Sequence, residues 1–138
     1  EEREMLPLCE REGVGSLPWS PLARGFLARP HEQFLDTARG EFMDADDTMS
    51  DRIRNYQASG GIEINERVEE LAAEKGVTMA QISLAWLLHQ PAVDAPIVGT
   101  TSIDHLEDAV EATELSLSDS DLDYLAEPYE PVPVDGHD

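Results

Sequence analysis

With 138 residues, 41% of them hydrophobic, the chain is long enough for one modest domain with a real core. Thirty acids face nine bases, Lys75 being the only lysine, and the net charge of −21 makes nucleic acid and anionic membrane surfaces poor partners. The single cysteine, Cys9, excludes an internal disulfide and a cysteine-built metal site, and no apolar run reaches the roughly 18 residues of a membrane span. Because the apolar residues are periodic, the acidity reads as a solvated surface excess and not as disorder. A halophilic cytoplasm, whose salt screens the self-repulsion, is the simplest setting. The acidic start is not a signal peptide.

In chain order, residues 2–12 are predicted as a helix with Met5, Leu6, Leu8 and Cys9 inward, Pro7 in the first turn and Gly13 as the stop. Cys9 reads as a small core residue, since no basic partner is near to activate it. Residues 14–17 form a short strand that runs into Pro18-Trp19-Ser20-Pro21-Leu22-Ala23-Arg24-Gly25. A rigid turn at a strand's carboxyl end is where α/β folds bind ligands, and it is equally a stiff loop whose tryptophan covers the core rim. From 26 to 61 the pattern is weak and acidic, a long loop with at most a short helix at 51–57. Asp44, Asp46 and Asp47 lack the glycine and terminal glutamate of a calcium loop, and His31 lacks a second ligand at metal spacing.

Residues 65–75 make an amphipathic helix with Val68, Leu71 and Ala72 inward, Glu66, Glu69, Glu70 and Glu74 outward, and Gly76 as its end. That acidic face argues against a helix-turn-helix DNA reader. Thr78 and Gln81 are spaced as a capping box for a helix that is apolar almost all round and ends before Pro91. Residues 95–98 lack polar alternation and read as a parallel strand covered on both faces. Next, Gly99-Thr100-Thr101-Ser102 opens a helix over 103–113 with His105 in its first turn. Such a start either holds an anion such as phosphate or merely caps itself. Ser118 caps a last short helix that turns Leu122 and Leu125 inward, and 128–138 is an extended tail. Tyr124 and Tyr129 read as packing residues.

Three segments together, LPWSPLARGFL, GVTMAQISLAWLLHQPAVDAPIVGTTSIDHLEDA and LSDSDLDYLAEPYEPVPV, resemble the carboxyl-terminal part of the aldo-keto reductases over nearly the whole chain. The resemblance implies an α/β fold: a partial (β/α)8 TIM barrel over 1–138, its last two strands with their helices and not a closed barrel. It implies hydride transfer between a nicotinamide cofactor, NADP with NAD as the alternative, and a small carbonyl or alcohol. By that likeness Trp19 stacks on the nicotinamide, Ser20, Leu22 and Arg24 contact the pyrophosphate, and Gly99, Thr100, Thr101, Ser102 and His105 hold the adenosine 2′-phosphate. Ser102 stands where relatives commonly have a base, and Asp108-Ala109 where they have an acid-asparagine pair.

The family's catalytic aspartate, tyrosine, lysine and histidine lie in the first half of its barrel, and no segment here matches them. Two strands cannot close a barrel, and the sequence begins with Glu1. The expectation is therefore a fragment of a longer enzyme, a decayed gene product, or a piece that pairs with a complementing chain. Its activity would be that of a reductase's cofactor-binding part or, alternatively, of a non-catalytic nucleotide-binding or interaction remnant.

Overall fold

Two helices of opposite character, one amphipathic and one apolar almost throughout, build the main core of this computed structural model, which describes residues 2–37, 55–57 and 59–131. The described helices, in chain order, are α1 (Met5–Glu12), α2 (His31–Leu35), α3 (Gly61–Lys75), α4 (Met79–Leu88), α5 (Ile103–Glu111) and α6 (Asp119–Ala126). Helix α3 turns Val68, Leu71 and Ala72 toward Met79, Ile82 and Ala85 of α4, while Leu117 and Leu125 close the cluster from α6 and its approach. Each side chain of leucine or isoleucine size so buried contributes about 1.5–3 kcal/mol.

Local chemistry sets the boundaries. Thr78 Oγ1 accepts from the Gln81 amide at 3.2 Å while Gln81 Oε1 accepts from the Thr78 amide at 2.8 Å, the capping box read from the sequence. Ser118 and Asp121 repeat the device at α6 with bonds of 3.2 and 2.8 Å. Lys75 Nζ, 2.8 Å from Asp121 Oδ2, then ties the end of α3 to the start of α6. Helix α3 begins four residues before its predicted start. Gly60 caps it at φ 83, where any side chain would strike the Pro128 carbonyl, and a side chain on Gly61 would strike that of Tyr56.

The stretch predicted as a patternless loop is partly built. A turn of 3-10 helix at Ala23–Ala28, broken by left-handed Arg24 and Gly25, is followed by α2. Phe26 and Phe34 make the reason plain: both are buried, edge to face with ring centroids 5.6 Å apart, and Tyr56 stacks on Phe26 at 6.5 Å. A separation of eight fits a helix face and a strand face alike, and the residues between, interrupted by Pro30, repeat at neither period, so periodicity alone could not place them. Residues 55–57 are helical as expected. Asp44, Asp46, Asp47, the rest of the predicted 51–57 helix and tail residues 132–138 lie outside the described residues.

Neither predicted strand forms as a strand among the described residues: the two segments run side by side and parallel but pair through one isolated bridge, Trp19 with Ile97, with Trp19 two residues past the predicted 14–17 span. The bridge is flanked by Asp94 N–H to Ser16 O (3.0 Å) and Ile97 N–H to Pro18 O (2.9 Å). Asp94 also accepts the Ser16 amide at 2.7 Å, pinning the register. The expectation that 95–98 is buried on both faces is corrected: Ile97 is 56% exposed. Pro18, Pro21 and Pro96 donate no backbone hydrogen, and a two-membered pair has only one neighbour per strand. Helix α1 is corrected likewise. It has no buried residue, Met5 and Leu8 are exposed, and Cys9 is half-buried. Among the described residues, no helix is long and apolar enough to cross a membrane, and no group of three His, Cys, Asp or Glu is placed to hold a metal.

Candidate functional site

Both extended segments end in loops, and the loops meet. The chain leaves the first at Trp19 with three non-glycine residues at positive φ, Ser20 (51°), Ala23 (47°) and Arg24 (61°), ahead of Gly25 at 100°. L-residues adopt that region at a cost of about 1–2 kcal/mol each, so the surrounding contacts must hold this turn in shape. The Ala23 amide bonds Ser20 O at 3.0 Å, and the amides of Gly25 and Leu27 both bond Leu22 O, at 2.9 and 3.2 Å. The Arg24 guanidinium lies 5.5 Å from the Trp19 ring centroid, a cation–π contact that braces an indole 65% exposed.

The second segment leaves through Gly99-Thr100-Thr101 into α5. Thr100 Oγ1 accepts from the Ser102 amide at 3.1 Å and contacts Ser102 O at 3.2 Å, which shapes the approach to the helix. Ser102 occupies the N-cap position but makes no side-chain cap bond, leaving the first-turn amides of α5 to another acceptor. Hence the self-capping alternative does not describe this helix start.

Between the loops lies a cavity of about 730 Å³, within the roughly 300–1,000 Å³ range of small-molecule and cofactor sites. Its floor is Leu84 of α4 and Phe34 of α2, members of the packed interior. Of the residues predicted from the sequence, Ser20, Leu22, Arg24, Gly99, Thr100, Thr101 and His105 line it. Trp19 and Ser102 stand outside that lining, each adjacent in sequence to a residue within it. The structure adds Arg29, whose Nε is buried without a hydrogen-bond partner, and the half-buried Asp108. A buried, unpartnered guanidinium nitrogen is costly unless a ligand or water meets it. Its sequence signal was a second arginine five residues beyond Arg24, inside a stretch that offered no period.

Sequence reasoning also missed the support behind the loop. Asn65 of α3, 0% exposed, donates from Nδ2 to Phe26 O (2.6 Å) and Arg29 O (2.9 Å) and accepts the His31 amide on Oδ1 (2.9 Å). Ser83 of α4 donates to Leu27 O at 2.9 Å. The signal was available: a polar Asn65 precedes Val68, Leu71 and Ala72 on the inward stripe.

Other polar candidates are committed elsewhere. Lys75 pairs with Asp121, Tyr124 donates to Glu70, and Tyr129 donates to Glu2. The Glu70 carboxylate at its hydroxyl raises the Tyr124 pKa above the usual phenol value.

The site can be set against known proteins. Residues 1–130 match the model of the aldo/keto reductase family. A Schizosaccharomyces pombe protein named for aryl-alcohol dehydrogenase activity is 46% identical over 136 residues, covering 99% of this chain and 36% of that protein. The versiconal hemiacetal acetate reductase of Aspergillus parasiticus is 41% identical over 97% of this chain and 38% of its own length. The crystal structure of a thermostable aldo-keto reductase in complex with the inhibitor epalrestat superposes with a TM-score of 0.57 at 27% identity, over 89% of this chain and 32% of that one. The chain thus spans about a third of each of these proteins, and its architecture is part of a TIM barrel, unclosed. Shared sequence along nearly all of its length and shared fold lead to one assignment: the chain belongs to the aldo/keto reductase family.

Proposed function

We propose that residues 1–138 are the carboxyl-terminal, cofactor-binding portion of an NAD(P)H-dependent aldo-keto reductase, with NADP as its nucleotide and NAD as the alternative. One observation carries the reading: loops far apart in sequence leave the carboxyl ends of two parallel segments and converge on one cavity. The residues present suit a dinucleotide. Arg24, Arg29 and the uncapped start of α5 suit phosphates, and the hydroxyls of Ser20, Thr100 and Thr101 suit phosphate or ribose oxygens. The exposed Trp19 ring suits stacking on a flat heterocycle.

When bound, the nicotinamide supplies the hydride that passes to or from a carbonyl carbon. The part of this chain is to bind and orient, so that binding energy at the phosphates fixes the ring's position. The catalytic aspartate, tyrosine, lysine and histidine belong outside it, in the other part of the barrel or in a complementing chain, which also completes the pocket for a small carbonyl. Lys75, Tyr124 and Tyr129 do not replace them, since none lines the cavity and each is bonded to a carboxylate. That same commitment favours the second reading, a nucleotide-binding remnant without catalysis. A salt-rich cytoplasm, without nucleic acid or membrane as partner, suits the charge.

The test is a titration of the intact protein with NADPH and NADH at high salt, followed by Trp19 fluorescence and calorimetry, with Trp19→Phe leaving Trp86 as the remaining tryptophan of this stretch. Binding with a signal lost in Trp19→Phe supports the reading. A folded protein that binds neither nucleotide defeats it. Oxidation of NADPH by an aldehyde then separates reductase from remnant, and turnover by residues 1–138 alone would overturn the placement of the catalytic set.

A further inference from the structure

Between Phe26 and His31 the chain passes from a broken 3-10 turn to a short helix, and no sheet or continuous helix holds it. Nevertheless Phe26 O, Leu27 O, Arg29 O and the His31 amide are all bonded, each by a side chain of the helices behind: three by Asn65, one by Ser83. The orientation of the Asn65 amide is fixed by its partners. A backbone N–H can only donate, so Oδ1 faces His31, and the two Nδ2 hydrogens meet the two carbonyls.

Asn65 occupies a core-facing position of α3 where an apolar side chain would bury more favourably, and a buried amide is tolerated only when its bonds are made. Here all three are made, and all go to the segment that carries the cavity wall at Ala28 and Arg29 and directly follows Arg24 and Gly25. We infer that Asn65, with Ser83 beside it, is a positioning residue: a side-chain clamp that fixes the 26–31 backbone and thereby the placement of Arg24 and Arg29 for an anionic nucleotide. This rests on the nucleotide reading above for its ligand, though not for its geometry.

The clamp separates from ordinary core packing by comparing variants in the intact protein. Asn65→Asp is isosteric but sets a carboxylate oxygen against two carbonyls. Ser83→Ala removes one bond, and Ser83→Thr restores a hydroxyl. Leu71→Ala weakens the same helix without touching the segment. Two readouts are taken where circular dichroism shows each variant folded: NADPH affinity, and the rate of tryptic cleavage after Arg24 relative to that after Arg11.

The expected result is NADPH binding roughly tenfold weaker or worse in Asn65→Asp with faster cleavage after Arg24. A smaller loss is expected in Ser83→Ala, recovered in Ser83→Thr, and neither change in Leu71→Ala. The clamp is overturned if the Asn65 and Ser83 variants keep wild-type affinity and cleavage, or if Leu71→Ala loses as much as they do. Should Asn65→Asp fail to fold, the Ser83 pair decides by the same criteria. If the wild type binds neither NADPH nor NADH, the nucleotide reading fails, and cleavage after Arg24 still decides the clamp: faster in the variants upholds it, unchanged refutes it.

Discussion

The unit made by α3, α4 and α6 and the strip made by α1, the two extended segments and α5 carry similar apolar side chains and treat them oppositely. In the first, Ile82, Leu84 and Ala85 are fully enclosed. In the second, Val14, Leu17 and Ile97 are exposed, and Ile103, at 73%, heads a stripe with Leu106 and Val110 along α5. The helical unit pairs each apolar face with a complementary one nearby in sequence and locks its ends with capping boxes and the Lys75–Asp121 link. The strip has one bridge and one register pin within it, and is tied to the helical side by Gln81 Nε2 donating to Glu111 at the end of α5 (2.8 Å) and by Tyr129 donating to Glu2 (2.6 Å). Stability therefore resides in the helices, and the loops that line the cavity are hung between the two regions.

The largest expected effect tests that division. Ile82→Ala should cost about 2–5 kcal/mol in denaturant unfolding, as for other buried large-to-small changes, because its site is walled by helices that cannot collapse onto it. Leu106→Ala should stay within about 0.5 kcal/mol, since it removes an exposed side chain. Equal costs would break the comparison and mean that the face of α5 is covered in the natural protein.

The same division marks how much was legible in the sequence. The helical unit was, because caps and the inward stripe Val68, Leu71, Ala72 are local or periodic signals: Thr78 with Gln81 needs three residues of context. The two parallel segments were legible in approximate position but not in pairing or burial, because the run 95–98 records what a strand can bury, not what lies beside it. Ile97 shows the gap. The cavity's two loops were found through turn chemistry and family resemblance. Arg29, Asn65 and Ser83 were missed because their roles depend on contacts between segments more than thirty residues apart, as Asn65 with Phe26 and Ser83 with Leu27 illustrate.

A middle-sized effect sharpens the contrast between stable helices and shaped loops. Ala23 sits at φ 47 without lining the cavity, and its methyl packs on the Phe26–Phe34 cluster, so Ala23→Gly relieves the backbone at the loss of one small contact. Relief of the left-handed conformation should raise stability by about 0.5–1 kcal/mol, while the loosened turn weakens NADPH binding. Stabilisation without loss of affinity would show that the strain plays no part in shaping the site. Destabilisation would show that the methyl's packing on the aromatic cluster outweighs the relief.

The smallest effects come from two carboxylates, one in each region, and acid separates them. Asp121 in the helical unit is held below the ordinary aspartate range first by its bond to Lys75 and then by the Ser118 amide. Glu2, preceding α1, is lowered from 4.5 to about 2, chiefly by the Tyr129 hydroxyl that it accepts. Because each folded pKa lies below the unfolded one, each contribution is complete above the unfolded value and disappears as pH falls through the folded one. Lys75→Met should cost about 1 kcal/mol or less near neutrality, with the difference from wild type shrinking as Asp121 protonates. Tyr129→Phe should return the Glu2 carboxyl toward 4.5 in a carbon-detected NMR titration without altering the Asp121 titration. Movement of both carboxyls in the Tyr129 variant would mean that the strip and the helical unit are coupled. Movement of Glu2 alone, with helix α6 intact, is what two regions of separate stability require.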